Sequence, residues 1–431
     1  AKPGPVFAHR IHVIAEPKPQ VERVERRRAH PTVSRRESMR ETVIGQQCGA
    51  KELHRFILSS MASARRSGAG RARFGGFFAK TANRAINAAM TLTLRARHAL
   101  FILALFVSAC GSDSASISQP AEPLDIRANA APFDLRSVGA EYFEGISYGP
   151  YDENLFDIYI PESEEPTPLL LYIHGGGFTG GSRDTSGHED RALALLAEGV
   201  AYASIDYRLL ESPDPDGVLK SLTDSTRALQ FIRYHHRQLN IDPNNVILMG
   251  GSAGAGTSLW IGFNDEMADP SNEDPVLRQS TRVTAVIAIA TQATYDIGKW
   301  KTVVFEEYNL DLLALADALG LAQALLDFYG ITDVEDFESE AILEYRAEVD
   351  MLGLMDVDDP PFYVQNDLAP AGPGAPPITV NLAFHHANHA LVLAEQADEI
   401  GLENVAYMEA LEIADPSGED SVDFALRHFG I

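Results

Sequence analysis

Ser252 stands in Gly250-Gly251-Ser252-Ala253-Gly254, between the apolar run Val246–Met249 and a stretch of helical character. A serine flanked by glycines at a strand-to-helix turn is held in a strained backbone conformation that projects its hydroxyl outward, as a nucleophile requires. The same residues also suit a glycine-rich turn with an N-capping serine. A second cluster, His174-Gly175-Gly176-Gly177-Phe178, directly follows the apolar run Leu169–Ile173. Lacking side chains, such a loop lets backbone N–H groups approach the oxyanion formed when a nucleophile attacks a carbonyl. One donor of that kind lowers the barrier by about 2.7–4 kcal/mol. A phosphate cradle is the other use of a glycine loop, but neither G-x-x-x-x-G-K-[ST] nor a dinucleotide fingerprint is present.

The two clusters lie about 75 residues apart, with Ser204-Ile205-Asp206-Tyr207-Arg208-Leu209 between them. Together they closely resemble the hormone-sensitive-lipase-like esterases of the α/β-hydrolase superfamily, over roughly Phe156 to Ala290. The resemblance implies an α/β-hydrolase fold and oxyanion donors at Gly176, Gly177 and Ala253, with His174 shaping the loop rather than acting as base. It also implies the chain order Ser, then Asp or Glu, then His, because a serine hydroxyl needs a histidine to take its proton and a carboxylate to orient that histidine.

The acid is expected after the strand Pro361–Gln365, which makes Asp367 the first candidate, with Asp358 and Asp359 behind it. The base departs from the family pattern, for Glu412–Ser421, after the last expected strand, contains no histidine. The cluster Phe384-His385-His386-Ala387-Asn388-His389 resembles the Ile-His-His-Pro segment of some bacterial relatives. His386 is therefore the first candidate and His385 the second. A helix-start or solvent-facing role for these histidines stays open, and His428 reads as a residue of the closing helix. His385 and His389 share metal-ligand spacing, but no H-E-x-x-H pattern or carboxylate partner accompanies them, so neither metal nor cofactor is expected.

These residues need a scaffold, and the sequence supplies alternating short β-rich runs and longer helical patterns, the mark of an α/β sheet protein. Strands are expected at Phe156–Ile160, Leu169–Ile173, Ala201–Ile205, Val246–Met249, Val283–Ala290, Pro360–Gln365 and Asn404–Leu411. Helices are expected at Arg191–Glu198, Val218–Leu239, Ala390–Ile400 and Ser421–Ile431. The reading is a mostly parallel central sheet flanked by helices. An acidic helical insertion, about 295–359, would lie between consecutive strands, either as a cap over the catalytic edge or as packing at the side.

The chain has 431 residues and a formal charge of −26, but residues 1–109 carry 20 Lys and Arg against 6 Asp and Glu, leaving 15 against 55 beyond. An acidic body of this kind repels phosphate backbones, so nucleic acid is not an expected partner. Beyond residue 109 the only lysines are Lys220, Lys299 and Lys301. Such a surface suits high salt, where self-repulsion is screened. Two cysteines, Cys48 and Cys110, cannot build a disulfide framework.

From Met90 a positive region with Arg95 and Arg97 leads into nine apolar residues, Ala99–Val107, then Ser108-Ala109-Cys110. This reads as a signal peptide over 90–109, too short to span a bilayer. Val-Ser-Ala-Cys resembles a bacterial lipobox, implying lipid attachment at Cys110 and a cell-envelope protein. A plain secretory signal is the alternative. Gly111, where an inner-membrane lipoprotein would carry aspartate, favours the outer membrane. Residues 110–124 read as a flexible tether and 125–431 as the hydrolase domain. Residues 1–89 are Arg-rich and without periodicity, and read as disordered or as upstream sequence joined to a gene starting at Met90, outside the fold, with a basic arm for nucleic acid or anionic lipid as the alternative.

The expectation is a serine esterase acting on a small or short-chain carboxylic ester through an acyl-enzyme on Ser252. No amphipathic apolar cover is evident in the acidic insertion, which argues against a lipase. A catalytically inactive hydrolase-fold protein that binds a ligand or partner at the envelope is the alternative, motivated by the missing histidine.

Overall fold

Continuous apolar runs need both faces covered, and this rule organises the sheet. The computed structural model describes residues 123–185, 187–308, 312–369 and 379–431. The expected basic segment 1–89, the signal 90–109 and Cys110 lie outside them.

Eight strands are formed in chain order: β1 Ala140–Ser147, β2 Leu155–Pro161, β3 Thr167–Ile173, β4 Ala201–Ile205, β5 Ile241–Gly251, β6 Ala285–Ile289, β7 Phe362–Gln365 and β8 Asn404–Tyr407. They form one sheet in the order β1-β2-β4-β3-β5-β6-β7-β8. The β1–β2 and β2–β4 pairs are antiparallel and all others parallel. The sequence reading omitted β1, an edge strand whose Glu141, Glu144 and Gly145 interrupt its apolar alternation.

Residues alternate between two cores with the period of two that a strand imposes. Leu169, Leu171 and Ile173 of β3 join Leu248 and Val364 on one face. Leu170 and Tyr172 join Ile247, Met249 and Tyr363 on the other. The first face is covered by α2 (Leu219–Tyr234), α3 (Ala253–Phe263) and α9 (Ala387–Ile400). The second is covered by α1 (Glu189–Ala197) and α10 (Ser421–Phe429). Among the described residues no helix is long and apolar enough to cross a membrane.

Between β6 and β7 the regular elements among the described residues are all helical, joined by turns and loops. Short turns of helix at Ile297–Lys299, Trp300–Val304 and Glu306–Tyr308 precede α4 (Leu312–Ala318) and α5 (Ala322–Tyr329). Then come Val334–Glu338, α6 (Glu340–Glu348) and α7 (Met351–Leu354). Arg346 of α6 is buried and bonds Asp296 at 2.7 Å, tying the end of the insertion to its beginning. After β7 a six-residue helix, α8 (Val380–His385), meets α9 at a corner formed by His386.

Candidate active site

The carboxyl ends of β3, β5, β6 and β7 bring the glycine loop, Ser252, Thr291–Ala293 and Asn366 to one edge, where open α/β sheets bind ligands. Ser252 ends the tight passage from β5 to α3 with φ 53° and ψ −120°, a strained conformation for a residue with a side chain. The turn closes only because Gly254 lacks a side chain, since a Cβ there would overlap the Ile173 carbonyl. The Ser252 N–H donates to Ile289 O at 2.9 Å, which anchors the elbow to β6.

The Ser252 hydroxyl lies 2.7 Å from His385 Nε2. On the far side of the ring, Nδ1 lies 2.7 Å from Asn381 Oδ1. An amide oxygen only accepts, so Nδ1 carries the proton and Nε2 is free to accept from the serine. Burial pushes the His385 pKa below the usual imidazole value. No carboxylate among the described residues acts on it to oppose that shift. The neutral ring a general base needs is therefore set by burial and by Asn381.

The structure separates the other candidates from Ser252. His386, the first choice for the base, is 1 % exposed and caps α9: its Nδ1 accepts from the Asn388 N–H at 3.0 Å and its Nε2 faces the Tyr308 hydroxyl at 3.4 Å. With both nitrogens turned to these partners it does not reach Ser252, and the ring within hydrogen-bond distance of Ser252 is that of its neighbour His385. His389 is fully buried, accepting from the Ala293 N–H at 3.1 Å and donating to Ala383 O at 2.9 Å. Burial pushes its pKa down to about 3. His428 packs on Phe424 in α10, 3.6 Å from Glu403.

Asp367 does not meet the histidine either. It is exposed, accepting from Gln365 Nε2 at 2.8 Å and from the Glu409 N–H at 3.4 Å. The adjacent side chain, Asn366, turns inward. It pairs with Thr291 through both amide atoms, at 2.9 and 2.8 Å, and donates to His386 O at 3.1 Å. Successive residues of an extended chain point to opposite sides, so one of the pair had to face away. Asp358 and Asp359 precede β7 and lie at the amino edge, where Asp359 is 3.6 Å from Arg282.

Asn381, Asn366 and Gln292 were absent from the sequence reading. Gln292 Nε2 donates to Phe384 O at 2.9 Å. With His389 and Asn366 it clamps the α8–α9 corner against the segment after β6, which fixes the position of His385. The spacing of Asn381 and His385, four residues on one helical face, was the available signal.

Gly176 and Gly177 adopt φ of 113° and 61°. They line the same cavity as Ser252 and Ala253. Ala253 is the first residue of α3, where a backbone N–H has no intrahelical acceptor. His174 is buried, stacks on Tyr207 at 4.3 Å and donates from Nδ1 to Gly175 O at 2.7 Å, so it braces the loop.

The cavity is about 680 Å³ and is roofed by the insertion: Leu315 of α4, Leu319 just after it, and Leu325 and Phe328 of α5 face it with Trp300. The insertion therefore does present an apolar cover, contrary to the expectation from its acidic composition. Of the acidic residues on these two helices, Asp317 is exposed and Asp327 is buried, accepting from Gln323 Nε2 at 2.8 Å.

Sheet order and the turn at Ser252 are those of the α/β-hydrolase fold. The BD-FAE family model matches residues 156–311. The chain is 34% identical over 115 residues to Gut esterase 1 of Caenorhabditis elegans, covering 25% of this chain and 20% of that protein. It is 35% identical over 99 residues to Carboxylesterase NlhH of Mycobacterium tuberculosis, covering 23% of this chain and 30% of that protein. The matched segments thus span about a fifth to a third of these relatives. Among solved structures, a truncated carbohydrate esterase from gut microbiota aligns with a TM-score of 0.48 at 14% identity, over 71% of this chain and 100% of that one. A bacterial heroin esterase aligns with a TM-score of 0.41 at 18% identity, over 70% and 85%. Over residues 156–311 the chain is thus similar to the BD-FAE family, and over shorter segments to these esterases.

Proposed function

We propose that this protein is a serine esterase that cleaves an uncharged carboxylic ester through an acyl-enzyme on Ser252. The contact between Ser252 Oγ and His385 Nε2, 2.7 Å at the floor of a cavity, carries the reading. Ser252 Oγ attacks the ester carbonyl carbon as its proton passes to His385 Nε2. The tetrahedral oxyanion is met by the N–H groups of Gly176, Gly177 and Ala253. Collapse breaks the ester C–O bond, and the leaving alkoxide takes the proton from Nε2. Water then attacks the acyl-enzyme by the same route, giving its proton to His385 and releasing the acid.

Asn381 takes the orienting place usually held by a carboxylate. It keeps the correct tautomer, as the asparagine does in Cys-His-Asn proteases. It adds no charge to stabilise the imidazolium. That absence also favours a second reading, a hydrolase-fold protein that binds a ligand at the envelope without turnover.

Hydrolysis of p-nitrophenyl esters by the full chain and by Ser252→Ala separates the two. The esterase loses at least about 10³-fold in kcat with the serine, while its thermal transition is retained. A folded parent that turns over no ester, or only peptides, would sink the proposal. Lipid attachment at Cys110, which would place the enzyme at the cell envelope, is part of the same proposal. Mass spectrometry of the Cys110 peptide from membranes tests it.

A further inference from the structure

The cavity over Ser252 says more about the substrate than the catalytic groups do. Its polar side chains are few: Ser252, His385, Asn381, Gln292, Thr179 and Tyr295, beside the oxyanion glycines. Two of those side chains are already engaged, Asn381 with His385 and Gln292 with the Phe384 carbonyl. The rest of the described wall is aliphatic and aromatic, and among the described lining residues there is no Asp, Glu, Lys or Arg. In a chain with 61 Asp and Glu that exclusion matters.

A sugar ring placed against this wall would lose water from its hydroxyls and gain few partners, which is costly. A charged acyl group would be worse placed. The roof residues Leu315, Leu319, Leu325 and Phe328 are only half-buried by the protein itself, leaving apolar surface for an occupant to cover. Taking about 30 Å³ per heavy atom, the share of a water molecule in the liquid, an acetyl group fills less than a fifth of about 680 Å³. A chain of eight to ten carbons fills about 240–300 Å³ and leaves room for the alcohol portion.

We propose that this cavity is a site for an uncharged ester with an extended apolar acyl chain of about eight to ten carbons. The carbonyl lies at Ser252 and the chain runs under α4 and α5. This rests on the esterase reading and revises its expectation of a small acyl group. Binding energy from remote methylenes raises kcat/KM as they become buried. Each buried methylene is expected to add about threefold or more, so octanoyl, with six more, should exceed acetyl by about 10³-fold.

The test measures kcat/KM of the full chain on p-nitrophenyl esters of two, four, eight, ten and twelve carbons. Leu319→Trp and Leu315→Trp, which fill the cavity from its roof, are measured beside it. Leu343→Trp, exposed on α6 and outside the cavity lining, serves as control. The expected result is a maximum at eight to ten carbons, with the octanoyl-to-acetyl ratio falling at least tenfold in the roof variants and unchanged in the control. A maximum at acetyl with a steady fall thereafter, in an enzyme whose turnover depends on Ser252, overturns this proposal and leaves the esterase standing.

Binding of 2-dodecanone, an uncleavable apolar carbonyl compound, is measured by calorimetry on Ser252→Ala with and without Leu319→Trp. Binding weakened by Leu319→Trp, in a protein that turns over no ester, supports the apolar site and removes the esterase. No binding together with no turnover removes both.

Discussion

Replacing Asn381 by aspartate puts a carboxylate where the amide oxygen now lies, 2.7 Å from His385 Nδ1. Asn381 is in the first turn of α8, capped by the Thr379 side chain, so a negative charge there also suits the helix dipole. The substitution is therefore expected to fold. Two unit charges about 4 Å apart attract by about 1 kcal/mol in water and about 4 kcal/mol at an effective dielectric constant of 20. Asn381 is exposed, so the lower part of that range applies, and about 1.4 kcal/mol moves a titration by one pH unit.

The parent's His385 must be neutral to act as base, and burial holds its pKa below the usual 6.5. Its kcat/KM is thus expected to stay flat down to below pH 6.5 and to fall only as the ring protonates. In Asn381→Asp the acidic limb moves up by about one pH unit, and the plateau rises about threefold to tenfold because the imidazolium formed in the transition state is now paired. Asn381→Ala leaves Nδ1 without its partner and is expected to lose about 10–10²-fold in kcat through misplacement of the ring. The assay is a pH profile of kcat/KM on p-nitrophenyl octanoate for the three proteins. Coincident acidic limbs in the parent and Asn381→Asp, with full activity in Asn381→Ala, would show that another group orients His385.

Adjacent histidines should part company on substitution: His385→Ala is expected to abolish turnover with little change in Tm, whereas His386→Ala should lose about 0.5–2 kcal/mol of stability with its cap while keeping Ser252-dependent turnover, as denaturant melts and initial rates would show. Gly254→Ala should abolish soluble folded protein or activity, because its Cβ would meet the Ile173 carbonyl; near-parent turnover would refute the elbow packing. Burial raises the Asp359 pKa to about 6, above its unfolded 3.8, so the native state holds a proton that the unfolded chain gives up between these values and stability falls as pH rises through that window. Asp359→Asn should accordingly gain in Tm over the parent as pH rises from 4 to 6, and an equal difference at both ends contradicts this. Added salt should raise the parent's Tm by screening the acidic body, a result that scanning calorimetry in rising NaCl checks directly.

Buried strands were the legible part of the fold. β3 to β7 are apolar runs bounded by glycine, proline or charge, and their centres agree with the sequence reading because a parallel strand covered on both faces tolerates little else. Ser252 and the glycine loop were legible for a related reason: close backbone approach admits only glycine at several positions, and the sequence records that steric demand. The pairing of His385 with Ser252 and Asn381 was not. α8 has six residues and follows a stretch rich in proline and glycine, too little chain for a helical period to show. Without that helix, the pairing of Asn381 with His385 has no visible basis. Which of two adjacent histidines faces Ser252 depends on a corner in the backbone at His386, a tertiary feature. Asp367 matched the chain order of the superfamily, yet its strand turns Asn366 inward instead.

The position of the base also changes what must hold it. A histidine on a loop after β8 would depend on the last strand for its placement, whereas His385 belongs to the connection between β7 and β8 and depends on α8. That short helix contributes few buried contacts of its own, Ala383 being its one buried residue. Its precision therefore comes from three neutral polar clamps, Asn366, Gln292 and His389, each bonded to the backbone near the corner. All three are buried, and none carries a charge at neutral pH, since burial holds His389 near pKa 3. A carboxylate in any of these places would have needed a paired cation to offset its desolvation. Neutral amides and a neutral imidazole satisfy the same backbone groups without one. The acidic protein thus keeps charge away from the groups that position His385, and the described lining of the cavity beside them is uncharged as well.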